Sequence, residues 1–88
     1  MNYSVTVYIN PNCGPCKELK KWLNEKEISF TEKDIVNDEK AYEEFKEANQ
    51  IFTPFTVIQK EGKKHNIVGG HKKRIEKILF SGSLFKWG

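Results

Sequence analysis

Cys13 and Cys16 stand on either side of Gly14-Pro15 in a chain of 88 residues that holds no other cysteine. A C-x-x-C of this kind suits thiol exchange when it lies between the end of a strand and the start of a helix. The loop exposes the leading sulfur, while Cys16 falls one turn into the helix and is shielded. Unpaired backbone donors and the positive end of the helix dipole favour thiolate over thiol at Cys13, moving its pKa from about 8.5 toward neutrality. Two intervening residues bring the sulfurs close enough for Cys16 to attack a mixed disulfide held on Cys13. The spacing predicts Cys13 as nucleophile and Cys16 as resolving thiol, with Gly14 and Pro15 shaping the turn between them.

The same cysteines have a second chemistry open to them. With His65 and His71 they supply four zinc-ligand types, but compact zinc fingers place about 12 residues between their ligand pairs. Here 48 intervene between Cys16 and His65. Neither a metal nor a bound cofactor is therefore expected, the Cys13–Cys16 disulfide being itself the redox group. His65 reads as a solvated strand residue and His71 as a helix-start residue near the site.

The elements that must position the cysteines can be read from periodicity. Tyr3 to Ile9 alternates with period two, which predicts a strand carrying Tyr3, Val5, Val7 and Ile9 on one face. From Gly14 to about Lys26 the spacing becomes helical, with Cys16, Leu19 and Leu23 on one stripe, Trp22 beside it and Pro15 in the tolerant first turn. Ile28 to Asp34 reads as a short strand, Asn37-Asp38-Glu39 as the cap of a helix to about Asn49, and Phe55 to Gln59 as a third strand. Glu61-Gly62-Lys63 is a hairpin loop before a strand from Lys64 to Val68, and Gly69-Gly70 precedes a last helix from Lys72 to about Phe80. The order β-α-β-α-β-β-α predicts an α/β fold. Strands joined by helices should run parallel, and the hairpin should add an antiparallel edge to a mixed four-stranded sheet flanked by helices. Residues 1–80 make the domain and 81–88 a tail, whose Leu84, Phe85 and Trp87 are expected to dock on the body.

Cys13-Gly14-Pro15-Cys16 after a strand, Thr53-Pro54 before another and Gly69-Gly70 before the last helix together resemble the glutaredoxin-like branch of the thioredoxin superfamily. The likeness covers roughly residues 3 to 80. It implies a thioredoxin-like fold, dithiol-disulfide exchange and a cis Thr53-Pro54 bond facing the cysteines, with the Thr53 backbone free to pair with a substrate strand. It further implies substrate contacts from Thr53, Pro54, Phe55, Gly69, Gly70 and Lys72. Gly14-Pro15 is the dipeptide typical of thioredoxins, whereas dithiol glutaredoxins carry Pro-Tyr. Where glutaredoxins usually place a Lys before the motif and an Asp after the glycine pair, this chain has Asn10-Pro11-Asn12 and His71-Lys72-Lys73. The pattern is most similar to redoxins that have a glutaredoxin-like body, are recharged by the flavoprotein thioredoxin reductase and reduce ribonucleotide reductase. The alternative external reductant is glutathione, whose carboxylates the Gly69-Gly70 donors and Lys72 would hold.

Composition bounds the setting. Charged residues make up 31% of the chain and 11 aromatics are spread along it, which excludes a disordered chain. Two cysteines are too few for a disulfide-dense secreted scaffold, and Tyr3 to Ile9 is too short and too alternating for a signal peptide. No stretch approaches the roughly 18 apolar residues of a membrane span. A cytoplasmic monomer without membrane contact is expected, its partners a disulfide-containing protein and a reductant. The net charge of +3 conceals 7 basic and 10 acidic residues in positions 1–59 against 8 and 2 in positions 60–88. Lys63, Lys64, Lys72, Lys73 and Arg74 read as a solvated basic edge. One Arg and no interleaved aromatics argue against nucleic acid.

Overall fold

Alternating β-branched residues put Val5, Val7 and Ile9 on the buried side of β1 (Tyr3–Ile9), the first element of a computed structural model. The backbone is described for residues 3–85 and side chains for residues 3–80, so the docking expected of Leu84, Phe85 and Trp87 lies outside the described residues. After β1 come α1 (Gly14–Glu25), β2 (Thr31–Asp34), α2 (Glu39–Glu47), β3 (Phe55–Lys60), β4 (Lys63–Val68) and α3 (Lys72–Phe85). This is the expected order, and the sheet runs β2-β1-β3-β4. Among the described residues no helix is long and apolar enough to cross a membrane.

One expectation about direction fails. β1 and β2 are parallel, but β3 is antiparallel to β1 although a helix precedes it. The register explains why. Asp34 at the end of β2 lies beside Ile9, and Phe55 at the start of β3 lies beside Tyr8. The segment containing α2 therefore stays at the end of the sheet where β2 stops, rather than returning along the strands, and β3 runs back from there. β4 follows through Glu61-Gly62, whose φ angles of 53° and 77° fit the two left-handed positions of a tight hairpin.

Two element boundaries also move. β2 begins at Thr31, not Ile28, because the Ile28 amide donates to the Leu23 carbonyl and is still closing α1, with Glu27 at φ 57°. α3 continues past Phe80 through Ser81-Gly82-Ser83 to Phe85. Once a helix has nucleated, each further residue adds a bond, so a glycine costing about 1 kcal/mol does not by itself stop it.

The sheet is covered on both faces. Val5, Val7 and Ile9 meet Cys16, Leu19 and Leu23 of α1 and Ile75 and Leu79 of α3 in the main cluster, where each fully buried large side chain contributes roughly 1.5–3 kcal/mol. On the other face Tyr8 and Phe55 pack with Phe45 of α2, ring centroids 5.7 to 6.1 Å apart. Tyr8 also donates to Glu44 Oε1 at 2.9 Å, and Lys33 donates to the same oxygen at 2.8 Å. Loss of bulk water around its ring and the bond to Glu44 push the Tyr8 pKa up to about 12, while Lys33 first and Tyr8 second hold Glu44 below its usual value.

Candidate active site

Cys13 caps α1. Its extended backbone, with φ of −102° and ψ of 113°, turns the chain out of β1, and Pro15 occupies the first turn, where its missing N–H has no intrahelical partner. The Cys16 amide donates to Cys13 Sγ at 3.1 Å. A hydroxyl or carboxylate commonly caps a helix in this way; here a sulfur does, and the bond strengthens when that sulfur carries charge. The two cysteines form a disulfide, with Cα atoms 5.2 Å apart. Gly14 and Pro15 are exposed, Cys13 is partly buried against the edge of the core and Cys16 is 1% exposed, so the first cysteine is the more accessible of the two.

Three segments distant in sequence meet here. Cys13 Sγ lies 3.7 Å from the Thr53 carbonyl oxygen, and the Thr53-Pro54 bond is cis. The Pro54 carbonyl accepts the Gly69 amide at 2.8 Å, which ties the glycine pair to the same loop. Gly69 has φ of 90°, a conformation that a Cβ disfavours, and a Cβ on Gly70 would stand 4.0 Å from the Pro15 carbonyl. Lys72, half-buried in the first turn of α3, shares a shallow groove with Lys17, Glu18, Lys21, Trp22 and Glu25 of α1. The positive ends of α1 and α3 thus adjoin at the disulfide, and neither helix has an acidic residue in its first turn.

Phe55 corrects the sequence reading. It was expected among the substrate contacts, but it is 1% exposed and packed between Tyr8 and Phe45. The physical reason is that β3 is a central strand with both faces covered, so its first side chain is core whichever way it points. Of the two phenylalanines that flank Thr53-Pro54, one is expected from the sequence in the core and the other lining a docking groove; Phe55 is the buried one and Phe52 the exposed one, and the residue that reading missed is Ile51. Ile51 is 79% exposed and Phe52 64%, and both adjoin Thr53-Pro54 in the chain. Two adjacent apolar residues next to Thr-Pro were the available signal. The four proposed zinc ligands do not assemble, since no group of three or more ligating side chains converges among the described residues.

Residues 5–61 match the sequence model of the glutaredoxin family. Among characterised and uncharacterised relatives, the chain is similar to an uncharacterised glutaredoxin-like 8.6 kDa protein of Clostridium pasteurianum, 33% identical over 85% of this chain and 96% of that one. It is also similar to the glutaredoxin-like protein NrdH of Lactococcus lactis, 58% identical over 31 residues, which are 35% of this chain and 43% of that one. A 43-residue stretch is 44% identical to the global transcriptional regulator Spx 1 of Bacillus cereus. That match takes in 49% of this chain but only 33% of the regulator, so the chain spans about a third of the length of such relatives. Among solved structures, a reduced thioredoxin pre-protein of Schistosoma mansoni superposes with a TM-score of 0.73 at 24% identity, over 91% of this chain and 78% of that one. This likeness establishes the thioredoxin-like fold.

Proposed function

The chain belongs to the glutaredoxin family, and from that premise we propose that it is a dithiol-disulfide oxidoreductase in which Cys13 attacks and Cys16 resolves. The supporting observation is the unequal pair at the start of α1. Cys13 is partly exposed and accepts the Cys16 amide, whereas Cys16 is buried one turn in. In the reduced protein the Cys13 thiolate attacks one sulfur of a substrate disulfide, forms a mixed disulfide and releases the other substrate sulfur. Cys16 then gives up its proton and attacks Cys13, so the Cys13–Cys16 bond forms and the second substrate thiol leaves. Two electrons have passed to the substrate, and an external reductant restores both thiols.

Thr53, Pro54, Gly69, Gly70 and Lys72 surround this step. The Thr53 backbone beside the sulfur is the edge to which an extended substrate segment would pair, and exposed Ile51 and Phe52 offer it apolar contact. The domain extends past residue 80, because α3 runs on to Phe85. For the substrate we propose a protein disulfide such as that of ribonucleotide reductase, and for the reductant the flavoprotein thioredoxin reductase. The Gly14-Pro15 dipeptide and the similarity to NrdH support that pairing. The decisive assay runs the protein in parallel with thioredoxin reductase and with glutathione plus its reductase. Robust turnover with glutathione alone would overturn the choice of reductant. Cys13→Ser is expected to abolish reduction of insulin disulfides, and Cys16→Ser to accumulate a mixed disulfide on Cys13 visible by mass spectrometry.

A further inference from the structure

Among the described residues the buried side chains are apolar with one exception. Thr56 is 0% exposed, and its hydroxyl is the buried side-chain polar atom without a hydrogen-bond partner among the described residues. Such groups are rare in native interiors, because an unpaired hydroxyl costs more than its removal. Packing alone does not call for it, since valine has the same shape. Its position points to a use. Thr56 lies in register between Val7 and Ile67, and both belong to the cluster that contains Cys16. It therefore faces the α1 side of the sheet, opposite to its neighbour Phe55. Three residues earlier in the chain, the Thr53 carbonyl lies beside Cys13 Sγ, so β3 starts at the disulfide.

The resolving step makes a demand in this layer. Cys16 is 1% exposed and must become a thiolate to attack, while burial among apolar groups disfavours the charged form. Among the described residues Thr56 is the buried polar side chain, and no buried carboxylate or imidazole accompanies it. We propose that, once the disulfide opens, the Thr56 hydroxyl hydrogen-bonds to the Cys16 sulfur and donates to the thiolate as it forms. The proposal rests on the roles given above to Cys13 and Cys16. Thr56 gains and loses no proton. The Cys16 proton ends on the sulfur of the departing substrate, the Cys13–substrate bond breaks and the Cys13–Cys16 bond forms. In the disulfide state Cys16 carries no charge to stabilise, which fits a hydroxyl left unpaired there.

The test is rapid mixing of the reduced 88-residue chain with a peptide disulfide, resolving Cys13 attack and Cys16 resolution as separate phases. Thr56→Val should slow resolution about tenfold, the usual order for one lost hydrogen bond to a charged group. It should also raise the pH of half-maximal resolution, leave the first phase unchanged, and not lower the urea midpoint. Thr56→Ser should restore the rate. If valine at this position unfolds the protein, Thr56→Ala is read by the same two phases. Resolution at the wild-type rate with an unmoved pH profile would overturn the proposal, as would equal slowing of both phases. Failure of Cys16→Ser to trap substrate on Cys13 would instead overturn the underlying assignment of roles.

Discussion

At the start of α2, Asp38 accepts the amides of Lys40 at 3.0 Å and Ala41 at 3.3 Å, Glu39 follows in the first turn, and Lys46 lies in the last. Each choice suits the helix dipole. At the starts of α1 and α3 the choices reverse: a cysteine sulfur caps the first, and Lys72, Lys73 and Arg74 crowd the first turn of the second. Lysines there oppose the dipole. The two regions lie on opposite faces of one sheet, and the difference separates what holds the fold from what serves the chemistry. The α2 side satisfies its caps, charges and rings locally, whereas the cysteine side gathers positive charge where a thiolate is to form.

Substitutions should respect that division. Phe45→Ala removes the ring shared by Tyr8 and Phe55 and should cost about 3–5 kcal/mol in urea unfolding. Disulfide reduction by the folded fraction should persist. Asp38→Ala loses the cap of α2 and should cost about 1 kcal/mol with no change in the rate of Cys13 attack. Lys72→Glu should do the reverse, stabilising by about 0.3–1 kcal/mol at low salt while slowing that attack. A Lys72→Glu protein that was both less stable and equally reactive would break the comparison.

The smallest effects should appear as pH limbs. Glu44, held down by Lys33 and Tyr8, and Asp34, held down chiefly by the Asn37 side chain, bind protons more weakly in the folded state. Their contribution is full above the ordinary carboxylate range and fades as pH falls through the lowered folded values. Glu44→Gln should flatten this limb. Tyr8 has the opposite sign: the folded protein keeps its proton more tightly, so the contribution is full below pH 10 and is lost as pH rises toward about 12. Tyr8→Phe should remove the alkaline limb in thermal unfolding.

Much of this division was legible in the residues themselves. Cys13 to Cys16, Thr53-Pro54 and Gly69-Gly70 are short motifs whose chemistry requires contiguous residues, and the structure brings them together. Val5, Val7, Leu19 and Leu23 carry strong periodicity and are buried as it predicts. Phe55 was misplaced because alternation tells which residues share a face, not whether another element covers the second face. The direction of β3 escaped for a related reason, since the pattern of α2 does not encode which end of the sheet its flanking segments reach. Ile28 kept its burial but not its strand, because its amide was already committed to Leu23.

The strand order β2-β1-β3-β4 leaves β2 and β4 at the rims, the first only four residues long and the second opening with Lys63 and Lys64. Short or lysine-bearing rims resist the addition of foreign strands. An open sheet edge is a template for pairing with any extended chain that meets it. These margins leave little unpaired edge open to foreign strands, so the sheet that carries the cysteine pair is also guarded against association along its flanks.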